Sequence, residues 1–286
     1  MTVGVLVMAY GSPATPDEIE AYYTHIRRGR PPTEEQLDDL RRRYEAVGGT
    51  STLRARTDAQ MRVLQDALGD GYRVALGMKH ASPFIEDGAA SLSADCERVV
   101  GLVLAPHYSA MSIGEYLDRG REACTVPFTA IESWATEPAY VDFLAGAVRE
   151  SLASMPADTL VLFTAHSLPA RVVDAGDPYP DEIRATADAV AAAAGLQTYD
   201  TGWQSAGRTP EPWLGPDVLE VIAARDAGLL VCPCGFVSDH LEVAYDLDIQ
   251  AAKAAAEKGI AFARTRVLND DVTVLGALAE RVRTCA

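Results

Sequence analysis

Apolar and β-branched residues run through this chain in short continuous stretches, separated by longer stretches where they recur every three or four positions. The first pattern reads as buried strands and the second as amphipathic helices. One strand organises the rest: Thr159-Leu-Val-Leu-Phe-Thr-Ala-His-Ser-Leu-Pro169, an apolar run with a polar tip closed by proline. In an open parallel sheet, ligands bind just beyond the carboxyl ends of the strands, and His166 falls there.

Taken in order, the pattern predicts a strand from Val3, a helix over 17–28 stopped by Gly29 and Pro31-Pro32, and a helix to 47 capped by Thr33. A hydroxyl-rich loop, Thr50-Ser-Thr52, leads into a helix over 53–68. Strand 71–77 is followed by Lys79 and His80, then helix 83–96, strand 101–105, helix 113–124 with Tyr116, strand 128–132 and helix 138–153. After the His166 strand come an irregular stretch to 180, an alanine-rich helix to 194, strand 198–204 and a turn-rich stretch over 207–215. Helix 216–224, a strand from Gly228, a helix entered through 235–242 and running to 256, strand 261–264 and helix 272–283 complete the chain. Strands alternating with helices imply parallel sheets covered on both faces.

The chain repeats its own plan. Val3-Gly-Val-Leu-Val-Met-Ala-Tyr-Gly-Ser-Pro13 overlays the His166 strand so that Ala9 meets Ala165, Tyr10 meets His166 and Pro13 meets Pro169. Gly101-Leu-Val-Leu-Ala-Pro106 and Gly228-Leu-Leu-Val-Cys-Pro233 form a second similar pair. Two half-chains on one plan would set Tyr10 and His166 facing each other across a cleft.

With 286 residues, 48% of them apolar, the chain can fill one large core or two smaller ones. No apolar run approaches a membrane span, and no leader-like stretch precedes the first strand, so a soluble, cytoplasmic protein is expected. A net charge of −16 argues against nucleic acid and anionic membrane as partners. Against that acidity, eight arginines fall between Arg27 and Arg56. A small anion could be held there, although Arg41, Arg42, Arg54 and Arg56 read mostly as surface residues interleaved with acids. Five cysteines without a close second pair do not make a disulfide framework or a strong metal motif.

His166 and Glu242 are the first candidates for chemistry. Glu242 follows the Cys234-Gly235 strand end, where a parallel sheet could bring it beside His166. An imidazole with a carboxylate is both a proton-accepting pair and a loose metal site. Asp239 reads as a helix N-cap, and Asp246 shares the helical face of Glu242, four residues on.

At this point the chain resembles a family. Met8-Ala-Tyr-Gly-Ser-Pro13, Tyr22-Tyr-Thr-His-Ile-Arg-Arg-Gly-Arg30, Arg43-Tyr-Glu-Ala-Val-Gly-Gly49, Ala105-Pro-His107, Ala165-His-Ser-Leu-Pro169, Gly202-Trp-Gln-Ser205, Pro212-Trp-Leu-Gly-Pro216 and Gly235-Phe-Val-Ser-Asp-His-Leu-Glu242 together look like ferrochelatase. Tyr10 is similar to the coproporphyrin branch of Gram-positive bacteria in particular. The resemblance implies a chelatase fold: two Rossmann-like α/β domains with parallel sheets and a porphyrin cleft between them. The first would hold 1–104 plus a returning 268–286, and the second 105–267.

It also implies roles. His166 and Glu242 would accept pyrrole protons and contact Fe²⁺, and Tyr10 would ligate iron from the opposite face. Arg27, Arg43, Tyr44, Ser51 and Tyr116 would line the pocket and hold carboxylates, with Lys79 and His80 near its rim. The implied substrates are coproporphyrin III and ferrous iron, and the product coproheme, for haem synthesis. No other cofactor is required. The protein would be a monomer handing product to a downstream acceptor enzyme. Two departures stand out. Gln250 occupies a position where that branch often has an acid, which puts an outer hydrated-cation site in doubt. Cys285 is alone in the last segment, which argues against an iron–sulfur cluster. Competing readings are a chelatase for cobalt or nickel and another tetrapyrrole, or a haem-carrying protein that has lost turnover.

Overall fold

A computed structural model describes residues 2–207 and 209–286. Met1, the first residue of the expected N-terminal domain, lies outside them. Among the described residues there are eight strands: β1 (Val3–Ala9), β2 (Tyr72–Met78), β3 (Arg98–Val103), β4 (Phe128–Ile131), β5 (Leu160–His166), β6 (Tyr199–Gln204), β7 (Leu229–Cys232) and β8 (Phe262–Arg264). The helices are α1 (Ile19–Ile26), α2 (Glu34–Ala46), α3 (Leu53–Leu68), α4 (Ile85–Asp95), α5 (Glu115–Ala123), α6 (Pro138–Leu152), α7 (Ala170–Asp174), α8 (Tyr179–Ala194), α9 (Val218–Ala224), α10 (Leu241–Val243), α11 (Ala252–Lys258) and α12 (Val272–Cys285). Stretches of π-helix, Ala110–Gly114 and Ala244–Ala251, lead into α5 and join α10 to α11.

The strands form two parallel four-stranded sheets, ordered β2-β1-β3-β4 and β6-β5-β7-β8. The second order is the first with four added to every number, so the repeat seen in the sequence extends to topology. β1 and β5 are central in their sheets, and every residue of β1 is buried, which is why both read as continuous apolar runs. Tyr10 follows the last residue of β1, and His166 is the last residue of β5.

The second sequence overlay does not match the ladders. Leu6 pairs with Gly101 in the first sheet, and its counterpart Leu162 pairs with Val231 in the second. Gly101 therefore corresponds to Val231 and not to Gly228. The shared Gly…Pro spacing is a coincidence of two strands that end near proline.

The expected domain boundary after residue 104 falls one strand early. β4 pairs with β3, so 128–131 completes the first sheet instead of opening the second. α6 then packs on α8 and β7 of the second half, while α12 returns to pack on α3 and β4. One apolar cluster runs through both halves, joining Val5 and Val7 to Val161 and Phe163 and to Leu275 and Leu278 of α12. Each such side chain contributes roughly 1.5–3 kcal/mol by burial.

Local signals set the helix starts. Thr33 Oγ1 accepts from Gln36 N while Gln36 Oε1 accepts from Thr33 N, a reciprocal cap on α2. Asp239 is not the cap of α10. The imidazole of His240 takes that role, with Nδ1 accepting from Val243 N at 3.3 Å. Asp239 turns away to Asn269 and Arg264. No described helix is long and apolar enough to cross a membrane.

Candidate active site

The carboxyl ends of the central strands open into one cavity of about 880 Å³, large for a pocket that encloses a small organic ligand. His166, Glu242, Tyr10, Tyr44 and Tyr116 all line it. His166 is placed by β5. Glu242 is placed by the turn after β7, where Gly235 N donates to Thr164 O at 3.0 Å. A Cβ on Gly235 would meet the Cβ of Ala165 at 2.5 Å, so only glycine allows the two strand ends to approach this closely.

His166 Nε2 stands 3.6 Å from Glu242 Oε1. Its Nδ1 is 2.6 Å from the Ser167 carbonyl, which can only accept, so Nδ1 carries a hydrogen and Nε2 is the reactive nitrogen. Burial is the largest influence on His166 and works to lower its pKa. The Glu242 charge and hydrogen bond, the Ser167 carbonyl and Asp246 together outweigh burial and raise it to about 9. Burial likewise pushes Glu242 up, but His166, His240 and Arg43 prevail and bring it down to about 2. The pair thus rests as imidazolium and carboxylate. His240 Nε2 lies 3.8 Å from the other carboxylate oxygen, Oε2, so Glu242 sits between two imidazoles.

Behind the pair, Asp246 accepts from Ser205 Oγ and faces Arg43 Nη1 at 3.8 Å. Burial, only partly offset by Ser205, raises Asp246 to about 6. Asp246 and Gln250 both lie in the π-helical stretch, whose wider turn replaces the regular helix expected there. Among the described residues, no group of three or more His, Cys, Asp or Glu side chains is gathered to hold a metal ion. His166 and Glu242 offer two donors and leave the other positions open.

Phenols line the same cavity. Burial, then the Glu242 charge, raises Tyr10 and Tyr44 above the ordinary phenol range. Burial also raises Tyr22 and Tyr116, so all four stay protonated at neutral pH. Tyr10 is still 42% exposed to the cavity. Its ring packs on His80 at 4.7 Å between centroids. Lys79 is buried beside Tyr116 and paired with Glu115 at 2.9 Å. Burial pushes Lys79 down, against the pull of Glu115. Burial, Lys79, His25 and Arg119 push His80 down to about 3, so it is neutral.

The structure redistributes the expected anion-binding residues. Arg43, Tyr44, Ser51 and Tyr116 line the cavity, but Arg27 does not. Its guanidinium lies over the Tyr23 ring and donates to Arg30 O. Arg28 lines the cavity instead, with no carboxylate partner among the described residues. Arg28 has a left-handed backbone (φ 56°), and Gly29 N closes the end of α1 by donating to Thr24 O. Such a left-handed turn in a non-glycine residue is rarely legible in sequence. Arg43 is already engaged, donating to Asp39 Oδ2 at 3.0 Å. Ser51 Oγ accepts from Leu53 N at the start of α3. Arg41, Arg42 and Arg54 pair with Asp38, Asp39 and Asp58 on their own helices. Sequence reasoning missed Arg28, Tyr22 and the contact of His240 with Glu242. All three fall inside quoted motifs, Tyr22–Arg30 and Gly235–Glu242, so the motifs held a signal that spacing alone did not resolve.

Two half-chains of equal strand order, with one cavity lined by an imidazole–carboxylate pair and by phenols, define a chelatase-fold protein. The solved structure of CbiX, the terminal enzyme for biosynthesis of siroheme in denitrifying bacteria, shares this fold over the full length of both chains, with TM-score 0.57 and 15% identity. The ferrochelatase family profile matches residues 2–286, and the chain belongs to the ferrochelatase family. It is 43% identical to the coproporphyrin III ferrochelatase of Anoxybacillus flavithermus, over 97% of this chain and 94% of that one. Against those of Geobacillus kaustophilus and Bacillus subtilis the identities are 42% and 41%, over 98% and 97% of this chain and 95% and 96% of theirs.

Proposed function

We propose that this protein inserts Fe²⁺ into coproporphyrin III, releasing two protons and giving coproheme for haem synthesis. The observation that carries the reading is the His166–Glu242 pair at 3.6 Å, opening on the same cavity as Tyr10. The names of relatives that match nearly the whole chain support the substrate.

Insertion must strip two N–H hydrogens from the macrocycle and water from the metal. Glu242 offers Fe²⁺ a charged oxygen, and His166 offers the macrocycle a base at Nε2 once its own proton has passed to solvent. The arriving dication opposes the imidazolium charge that Glu242 sustains, so metal binding drives that proton off. Neutral Nε2 then accepts the two pyrrole protons in turn, passing the first on before it takes the second. Asp246, raised to about 6, suits onward transfer near neutral pH. Tyr10, which lines the same cavity, would serve as an oxygen ligand for the product iron from the other face of the macrocycle once it loses its proton. Coproporphyrin carries four carboxylates, for which Arg28, Arg43, Ser51 and Lys79 supply donors around the cavity.

We also read the chain as a cytoplasmic monomer that needs no resident cofactor or cluster and passes coproheme to an acceptor enzyme. The net charge of −16 and the single cysteine of α12 support this reading. The test is an anaerobic insertion assay with Fe²⁺, offering coproporphyrin III and protoporphyrin IX in parallel. Preferred metallation of coproporphyrin is expected. Exclusive use of protoporphyrin, or no metallation of either, would overturn the assignment.

A further inference from the structure

On the Tyr10 side, two histidines meet without a role in the reaction described above. His25, in the last turn of α1, and His80, just beyond β2, bring their Nδ1 atoms to 3.0 Å. Both rings are held by their neighbours. His25 stacks on Phe84 at 5.2 Å, and His80 packs against Tyr10 at 4.7 Å. The backbone fixes His80 further, since its N–H donates to Tyr10 O at 3.0 Å. His25 lines the central cavity and also a shallow outer pocket shared with Asp17, Glu20, Thr24 and Gly29. It is thus the side chain through which an acidic outer face reaches the cavity. Two neighbouring cations are already neutralised, Lys79 by Glu115 at 2.9 Å and Arg119 by a two-pronged contact with Glu86 at 2.8 and 2.9 Å.

Two imidazole nitrogens at this separation match the bite of one first-row divalent ion. With metal–nitrogen bonds of about 2.0–2.1 Å, ligands at a right angle stand about 3.0 Å apart. We propose that His25 and His80 form a loading site for a first-row divalent cation, taking the ion from the Asp17 and Glu20 face and presenting it on the Tyr10 side of the cavity. This deepens the proposed function and rests on its reading that the cavity takes Fe²⁺. Without metal, one ring donates its Nδ1 hydrogen to the other. On binding, that hydrogen moves to the same ring's Nε2 through water. Two metal–nitrogen bonds replace two metal–water bonds, and no net proton is released.

The test is a Co²⁺ titration, followed by calorimetry and visible absorption. It uses full-length protein carrying His166→Ala and Glu242→Gln, so that the other donor pair is silent. One equivalent of Co²⁺ should bind, with the visible band of a nitrogen-ligated ion. Removing only an outer partner of a metal ligand typically costs 10–100-fold, so adding His25→Gln, which removes a ligand, should weaken binding at least about tenfold. His80→Gln, as a second variant, should do the same. If no Co²⁺ binds in the His166→Ala/Glu242→Gln protein, or affinity is unchanged by both added substitutions, the pair is only a clamp between α1 and the end of β2. The parent protein's insertion assay stands apart. Iron insertion by the parent together with a flat titration would sink the loading site and leave the proposed function standing.

Discussion

Glu242→Gln keeps the shape of the side chain and removes its charge, so it isolates what holds the proton on His166. The rise of His166 from 6.5 to about 9 corresponds to about 3 kcal/mol before screening. The two side chains are 37% and 38% exposed to the cavity, which reduces the interaction to about 1–2 kcal/mol. In Glu242→Gln the His166 midpoint should therefore fall by about one pH unit or more. The assay is an NMR titration of the imidazole resonances, with His166→Ala assigning the signal among five histidines. The same pair gives stability a defined pH window. His166 is raised in the folded state, so its contribution is complete below about 6.5 and disappears as pH rises through about 9. Glu242 is depressed, so its contribution is complete above about 4.5 and disappears as pH falls through about 2. The parent should exceed Glu242→Gln in unfolding free energy most clearly between those limits, and the excess should vanish in alkali. Turnover should collapse as well, because an amide neither accepts a proton nor offers charge to iron. An unchanged His166 midpoint, or a stability difference that persists well above pH 9, would refute the ion pair as the feature that sets the resting site.

His166→Ala should abolish insertion while coproporphyrin still binds, as read by absorbance; turnover within a few-fold of the parent would remove it as the proton acceptor. Tyr10→Phe should erase the phenolate–iron signature from the visible spectrum of bound product and speed its release, and identical product spectra would show that Tyr10 is not the ligand. Arg28→Ala should raise the KM for coproporphyrin more than Arg27→Ala does, because only Arg28 lines the cavity; the opposite order in steady-state kinetics would reverse that assignment. Gly235→Ala should destabilise the protein by about 1–3 kcal/mol in denaturant unfolding, since the new methyl meets Ala165 at 2.5 Å and the strand ends must part. A variant of parental stability would mean that the strand ends separate freely.

The amino-acid sequence by itself determined the alternation of strands and helices, because full burial of parallel strands leaves continuous apolar runs such as 3–9 and 160–166. It determined the reciprocal cap at Thr33, which depends only on residues three apart. It also matched Tyr10 with His166, since Tyr10 directly follows β1 and His166 ends the equivalent strand β5. The tertiary structure decided what depends on residues distant in the chain. β4 joined the first sheet by pairing with β3, which no local pattern in 128–131 specifies. The ladder set Gly101 against Leu6 and Val231 against Leu162, overriding a shared Gly…Pro spacing. A left-handed turn at Arg28 chose which of two adjacent arginines faces the cavity. The charge state of His166 was decided the same way. Burial alone would leave that imidazole neutral, and the carboxylate that keeps it protonated lies 76 positions away along the chain, brought to 3.6 Å only by the approach of two strand ends.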